Sequence, residues 1–95
     1  MKDLKVTIAG TVYTAPAPRV KEFKEYLKML RDREENGADY YNVEFAFIAS
    51  LFRDPAVTPE TLDEADLAVG ASLWSNYALW IDQYIPNTEK NAKSR

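Results

Sequence analysis

The sequence predicts a mainly α-helical domain with a short β-hairpin at its N-terminus, a small α+β fold of three to four helices. Three observations predict it. Leu4 to Ile8 alternate apolar and polar, the period of a half-buried strand. Later stretches carry apolar residues at helical spacing, with Pro16, Pro18, Pro55 and Pro59 falling between them. The length, 95 residues, suits one domain and is too short for two, so a single domain over 1–86 and a flexible polar tail over 87–95 are expected.

The elements follow in order. Leu4-Lys5-Val6-Thr7-Ile8 is the first strand, Ala9-Gly10 the turn, and Thr11-Val12-Tyr13-Thr14 the returning strand. Gly10 takes positive φ there at no steric cost. Pro16 and Pro18 stop the ladder, since proline has no N–H to donate. A hairpin over 4–14 is marginal alone in water, so it must rest on the helices that follow.

Arg19 to Glu35 places Val20, Phe23, Leu27 and Leu30 at spacings of three and four, with Tyr26 beside them and Pro18 near the first turn. Lys21/Glu25, Lys28/Asp32 and Arg31/Glu35 stand four apart on the outer side. Their order, base before acid, is the weaker one, worth at most about 0.2–0.5 kcal/mol each. Asn36-Gly37 ends this helix, and Asp39 is placed to cap a second one running to about Arg53. Tyr40, Tyr41, Val43, Phe45, Phe47, Ile48, Leu51 and Phe52 make it apolar nearly all round, with Asn42, Glu44 and Ser50 as its polar positions. Such a helix is expected to be buried on more than one side, the second side by another subunit.

Asp54-Pro55 stops that helix, and Thr58-Pro59-Glu60-Thr61 starts the next with a capping threonine, a proline in the first turn and an acid. Leu62 and Leu67 are expected to anchor it over the second helix. From about Ala68 to Pro86 the last helix carries Leu73, Trp74, Tyr77, Leu79, Trp80, Ile81, Tyr84 and Ile85. Gly70-Ala71-Ser72 reads as a break or a close helix contact within it.

Composition excludes most catalytic chemistry. The chain has no cysteine and no histidine, which removes disulfides, thiolate sites, the commonest transition-metal ligand and every histidine-based nucleophile system. Three glycines, at 10, 37 and 70, cannot make a phosphate-cradling loop. Glu60, Asp63, Glu64 and Asp66 lack the alternating oxygen ligands and the glycine of a calcium loop, and read as acids gathered at a helix N-terminus. No enzyme, cofactor or metal is expected. The N-terminal residues lead into a strand rather than an apolar run, and Leu67 to Ile85 is interrupted by polar residues, so neither a signal peptide nor a membrane span is expected.

Interaction is what remains. The net charge of −3 argues against nucleic acid, although Lys21, Lys24, Lys28 and Arg31 form a basic stripe that an acidic partner or a nucleic acid could use. Aromatic residues make up 13%, rich for so short a chain, and two tryptophans stand on the last helix. These are residue types enriched at the centres of protein interfaces. The candidate interaction surface is Tyr41, Phe45, Phe52, Trp74, Tyr77, Trp80 and Tyr84.

The order of features carries a resemblance. Val6-Thr7-Ile8-Ala9-Gly10-Thr11-Val12-Tyr13 and Ala15-Pro16-Ala17-Pro18 precede a charged amphipathic helix; an aromatic-rich helix then leads through Leu51-Phe52 to Val57-Thr58-Pro59-Glu60-Thr61-Leu62. Over residues 4 to about 85 this resembles the tail assembly chaperones of long-tailed phages and prophages of Gram-positive bacteria. The resemblance implies a non-catalytic, self-associating protein of the bacterial host cytoplasm that coats the hydrophobic tape-measure protein before tail-tube subunits polymerise around it. It also implies a frameshifted longer form sharing this N-terminal domain. The rival expectation is a small nucleic-acid-binding regulator using the Lys21–Arg31 stripe.

Overall fold

The computed structural model describes residues 2–85; Pro86 and the expected polar tail over 87–95 lie outside the described residues. The chain runs β1 (Lys5–Ile8), β2 (Thr11–Thr14), α1 (Val20–Arg31), α2 (Arg33–Asn36), a 3₁₀ turn (Gly37–Asp39), α3 (Tyr40–Leu51), α4 (Pro59–Asp63) and α5 (Leu67–Asp82). It is mainly helical, with an N-terminal two-stranded antiparallel hairpin, and α2 is a one-turn continuation of α1 past a break at Asp32.

The hairpin pairs Lys5 with Thr14, Val6 with Tyr13, Thr7 with Val12 and Ile8 with Thr11, and Ala15 N–H closes it on the Leu4 carbonyl at 2.8 Å. Both turn residues have positive φ, Ala9 at 50° and Gly10 at 81°, the sign pattern of the mirror-image turn that matches strand twist. Leu4 and Val6 turn inward, and β1 lies against α5. The N-terminus is tied to the end of α5 as well: Lys2 N–H donates to Gln83 Oε1 at 2.8 Å and Gln83 Nε2 donates back to the Lys2 carbonyl at 3.3 Å.

α1 corrects the stripe expected from its spacing. Met29 and Glu22 are buried, with Phe23 and Tyr26 packed partly against the core, whereas Val20 is 71% exposed and Leu27 and Leu30 also face outward. The two sets differ because Glu22 is neutralised in place, which frees that side of the helix to turn in. Its carboxylate accepts the Arg19 backbone N–H at 2.8 Å and lies 3.9 Å from the Arg53 guanidinium, which in turn donates to the Ala17 carbonyl. The three ion pairs expected along the helix are not among those of the described residues, which are Arg19–Glu22, Arg31–Asp32 and Arg53–Glu22.

α3 is the central helix: α1 and α2 pack on one side of it, and α4 and α5 also contact it. Asp39 makes no side-chain cap; its backbone is helical and belongs to the 3₁₀ turn that feeds α3. Thr58 does cap α4, its hydroxyl accepting the Thr61 N–H at 3.1 Å while Thr61 Oγ1 accepts the Thr58 N–H at 2.8 Å. Leu62 anchors α4, but Leu67 is 86% exposed and anchors nothing. α5 begins at Leu67 and passes Gly70 unbroken, and a Cβ at Gly70 would meet nothing within 4 Å, so neither a break nor a close contact occurs there. It ends at Asp82, with Tyr84 and Ile85 in the turns that follow.

Candidate interaction surface

The described surface is organised by a carboxylate inside the core. Glu44 is the sole charged residue between Tyr40 and Phe52, and the sequence marks it only as one of the few polar positions of α3. It is 5% exposed. Its two oxygens are shared between donors on α5: Oε1 accepts the Trp74 indole N–H at 2.6 Å and Oε2 accepts the Tyr77 hydroxyl. Burial of a carboxylate is costly unless its lone pairs are filled, and here both oxygens have a donor. The lone charge in an otherwise apolar helix was the signal in the sequence. Its partners, thirty and thirty-three positions later, were beyond the reach of periodicity.

The same contacts set the tyrosines. Burial raises the Tyr77 phenol well above its ordinary range, and the hydrogen bond to Glu44 and the charge of that carboxylate push the same way. Tyr26 is raised by burial and then by the charges of Asp82 and Glu44. Tyr40 is raised by burial and Glu44, opposed by Arg33, whose guanidinium sits 5.0 Å over its ring. Tyr26, Phe47 and Tyr77 form a three-ring cluster with centroids 6.0–6.2 Å apart, which locks α1, α3 and α5 together.

The bond to Glu44 fixes one edge of the Trp74 ring and leaves the rest at the surface. Tyr41, one turn N-terminal to Phe45 on α3, is 55% exposed and stands 6.4 Å from Trp74 between ring centroids. Together with Phe45, Leu62, Leu67, Gly70 and Ala71 they line a groove of about 560 Å³ between α3, α4 and the first turns of α5. Asp63 and Asp66 are the charged residues among its lining, and neither lysine nor arginine lines it. The groove therefore has an apolar floor and an acidic rim.

The seven residues singled out in the sequence divide by burial. Tyr41, Phe45 and Trp74 come together at this groove. Phe52, Tyr77 and Trp80 lie in the core, each about 3% exposed, where they hold the helices rather than meet solvent. Tyr84 stands apart: its ring packs edge-on against Trp80 at 5.7 Å and lines a second groove with Pro18, Arg19, Val20, Phe23, Ile81 and Ile85. Sequence reasoning missed Leu67, Asp63 and Asp66 as members of the surface, because Leu67 was assigned to anchor the preceding short helix and the two acids to a helix N-terminus.

Among the described residues no group of histidine, cysteine, aspartate or glutamate could hold a metal ion, and no helix is long and apolar enough to cross a membrane. No family model matches the chain, and neither does any curated protein or solved structure.

Proposed function

We propose that the chain is a non-catalytic assembly chaperone that binds an apolar helical client through the groove of Tyr41, Phe45, Leu67 and Trp74. The observation that carries this reading is the exposed aromatic and aliphatic lining of that groove in so small a domain. Contiguous apolar surface of this kind marks binding sites, and an amphipathic helix laid in a groove is a recurring way to use one. The order of hairpin and helices gives the reading its finer form, a tail assembly chaperone of a long-tailed phage or prophage. Its client is then the tape-measure protein, its setting the bacterial host cytoplasm, and its other contacts further copies of itself, a frameshifted longer form and the tail-tube protein.

The groove supports this in two further ways. The net charge of −3 and the acidic rim keep an uncovered apolar surface soluble. Trp74 is also held in place before any client arrives, by its hydrogen bond to Glu44, which lowers the ordering cost of binding. The nucleic-acid reading is weaker, since the bases of α1 share their face with exposed Val20 and Leu27. Co-expression with the tape-measure protein tests the proposal: solubilisation with many copies of this chain bound supports it. An insoluble client with nothing co-purifying would sink it, and salt-dependent binding of DNA or RNA lost on replacing the α1 bases would establish the rival.

A further inference from the structure

The groove between α3, α4 and α5 carries charge that the fold leaves unspent. Asp63 and Asp66 line it, both are exposed, and neither is in an ion pair among the described residues. Asp66 stands at the N-cap position of α5, yet its side chain makes no cap bond. The charges around them have the same sign. Glu60 and Glu64 line the adjoining cleft against Ala9 and Gly10, and Asp66 borders that cleft too. From Tyr40 to Asp82 the one base is Arg53, and it is engaged with Glu22 and the Ala17 carbonyl. Arg33 is held over the Tyr40 ring at 5.0 Å and does not line the groove. The C-terminal end of α4 and the N-terminal end of α5 meet here, so their dipoles oppose and the side-chain charges decide the sign. The floor adds a second observation. From Asp66 to Trp74 one face of α5 runs about 12 Å, about two turns, through Leu67, Gly70 and Ala71. Glycine is disfavoured inside a helix, and a Cβ at Gly70 would meet nothing within 4 Å, so packing within the chain does not require it. Its small size leaves room for the backbone of an occupant to come close.

We propose that this groove selects a cationic amphipathic helix from its partner. The apolar anchors of that helix seat on Trp74, Tyr41 and Leu67, while flanking lysines or arginines stand against Asp63 and Asp66. The apolar contact provides the burial, and the charges set orientation and partner choice. The exposed faces of Trp74 and Tyr41 attract the same cations. An acidic helix or an anionic lipid surface would set like charges against the rim. A neutral helix would cover the two carboxylates without pairing them, at a cost in their hydration. This inference rests on the groove being the docking surface proposed above, and it specifies the chemistry of the client segment that docks there.

The test titrates the full chain with three synthetic helical peptides. All carry leucine at i, i+3, i+4 and i+7, and their flanking positions hold lysine, glutamine or glutamate. Binding is read by calorimetry and by the fluorescence of Trp74, the exposed one of the two tryptophans. The lysine peptide is expected to bind about tenfold or more tighter than the glutamine peptide, and the glutamate peptide weakest, with the differences shrinking as salt is raised. Asp63→Asn/Asp66→Asn keeps a residue suited to the start of α5 and should abolish the advantage of lysine while leaving the glutamine peptide as it was. Gly70→Leu narrows the groove without displacing any neighbour, so it should weaken all three peptides in a chain whose circular dichroism is unchanged. A glutamine peptide that binds as well as the lysine one, or an advantage of lysine that survives the two asparagines, overturns the inference and leaves the groove as an apolar docking surface. Lysine-peptide binding that Gly70→Leu does not touch places it elsewhere and overturns the inference as well. Should no peptide bind while sedimentation shows copies associated with Trp74 shielded, a second copy occupies the groove and the inference falls. Capture of the lysine peptide without capture of the tape-measure protein would leave the inference standing and remove the chaperone reading instead.

Discussion

The Glu44 carboxylate accepts the Trp74 indole N–H at 2.6 Å, and this bond joins the surface of α5 to the interior of α3. Its other oxygen holds the Tyr77 hydroxyl, so one side chain fixes both an exposed ring and a buried one. Replacing Glu44 by alanine leaves the Tyr77 hydroxyl buried with no acceptor there and opens a cavity. The expected loss is about 2–4 kcal/mol, a fall in Tm of roughly 10 °C or more for a domain of this size. Glu44→Gln keeps an acceptor and the volume, and should cost about half as much. Urea unfolding of both variants checks this, and equal stability of wild type and Glu44→Ala would show that the carboxylate organises nothing.

The tyrosines around Glu44 give the protein a particular alkaline limit. Tyr77, Tyr26 and Tyr40 are all raised in the fold, chiefly by burial. A group whose folded value lies above its unfolded one binds its proton more tightly in the native state. The stability this contributes is complete below the ordinary phenol range, about pH 10, and is lost as pH rises beyond it. Unfolding free energy should therefore fall with pH above about 10, read by urea unfolding at a series of alkaline pH values. Tyr77→Phe should be less stable at neutral pH, having lost the bond to Glu44, and should show a shallower alkaline decline.

Ala9 holds a left-handed conformation, φ 50°, beside Gly10 at the tip of the hairpin. An alanine there crowds its Cβ against the following carbonyl, whereas asparagine is the residue that this turn prefers ahead of glycine. Ala9→Asn should stabilise the domain by about 0.5–1 kcal/mol and raise Tm by about 2–6 °C, read by thermal unfolding. Ala9→Val should do the reverse.

Much of the fold was legible because its boundaries are written in residues with local consequences. Ala9-Gly10 turned the hairpin, Thr58-Pro59 started α4, and Asp54-Pro55 followed the end of α3. What periodicity misread were the positions whose burial depends on a distant partner. Glu22 and Glu44 count as solvent residues in any pattern, yet Arg53 and the Trp74–Tyr77 pair take them inside. Turning Glu22 inward rotated α1 relative to its apparent stripe and put Val20 and Leu27 outside. The aromatic residues of α5 were visible as a group, but Leu73, Tyr77, Trp80 and Ile81 form the buried face and Trp74 and Leu79 do not, a division that needs the neighbouring helices to settle.

The two tryptophans on α5 should separate stability from binding. Trp80 is 3% exposed and packs against Tyr84, so Trp80→Ala removes a large buried ring and should cost about 3–5 kcal/mol, enough to threaten folding. The groove residues behave otherwise. Leu67 and Tyr41 are largely in solvent, and Leu67→Ser or Tyr41→Ser should leave unfolding within about 0.5–1 kcal/mol of the wild type. If the groove receives a client, both surface variants should lose most of the co-purified tape-measure protein while remaining folded. Trp74→Phe adds a finer point, because it keeps an aromatic surface but gives up the donor to Glu44. It should retain part of the binding while losing about 1–2 kcal/mol of stability. Capture that survives Tyr41→Ser and Leu67→Ser unchanged would move the binding site elsewhere, the groove lined by Tyr84 and Phe23 being the next to test.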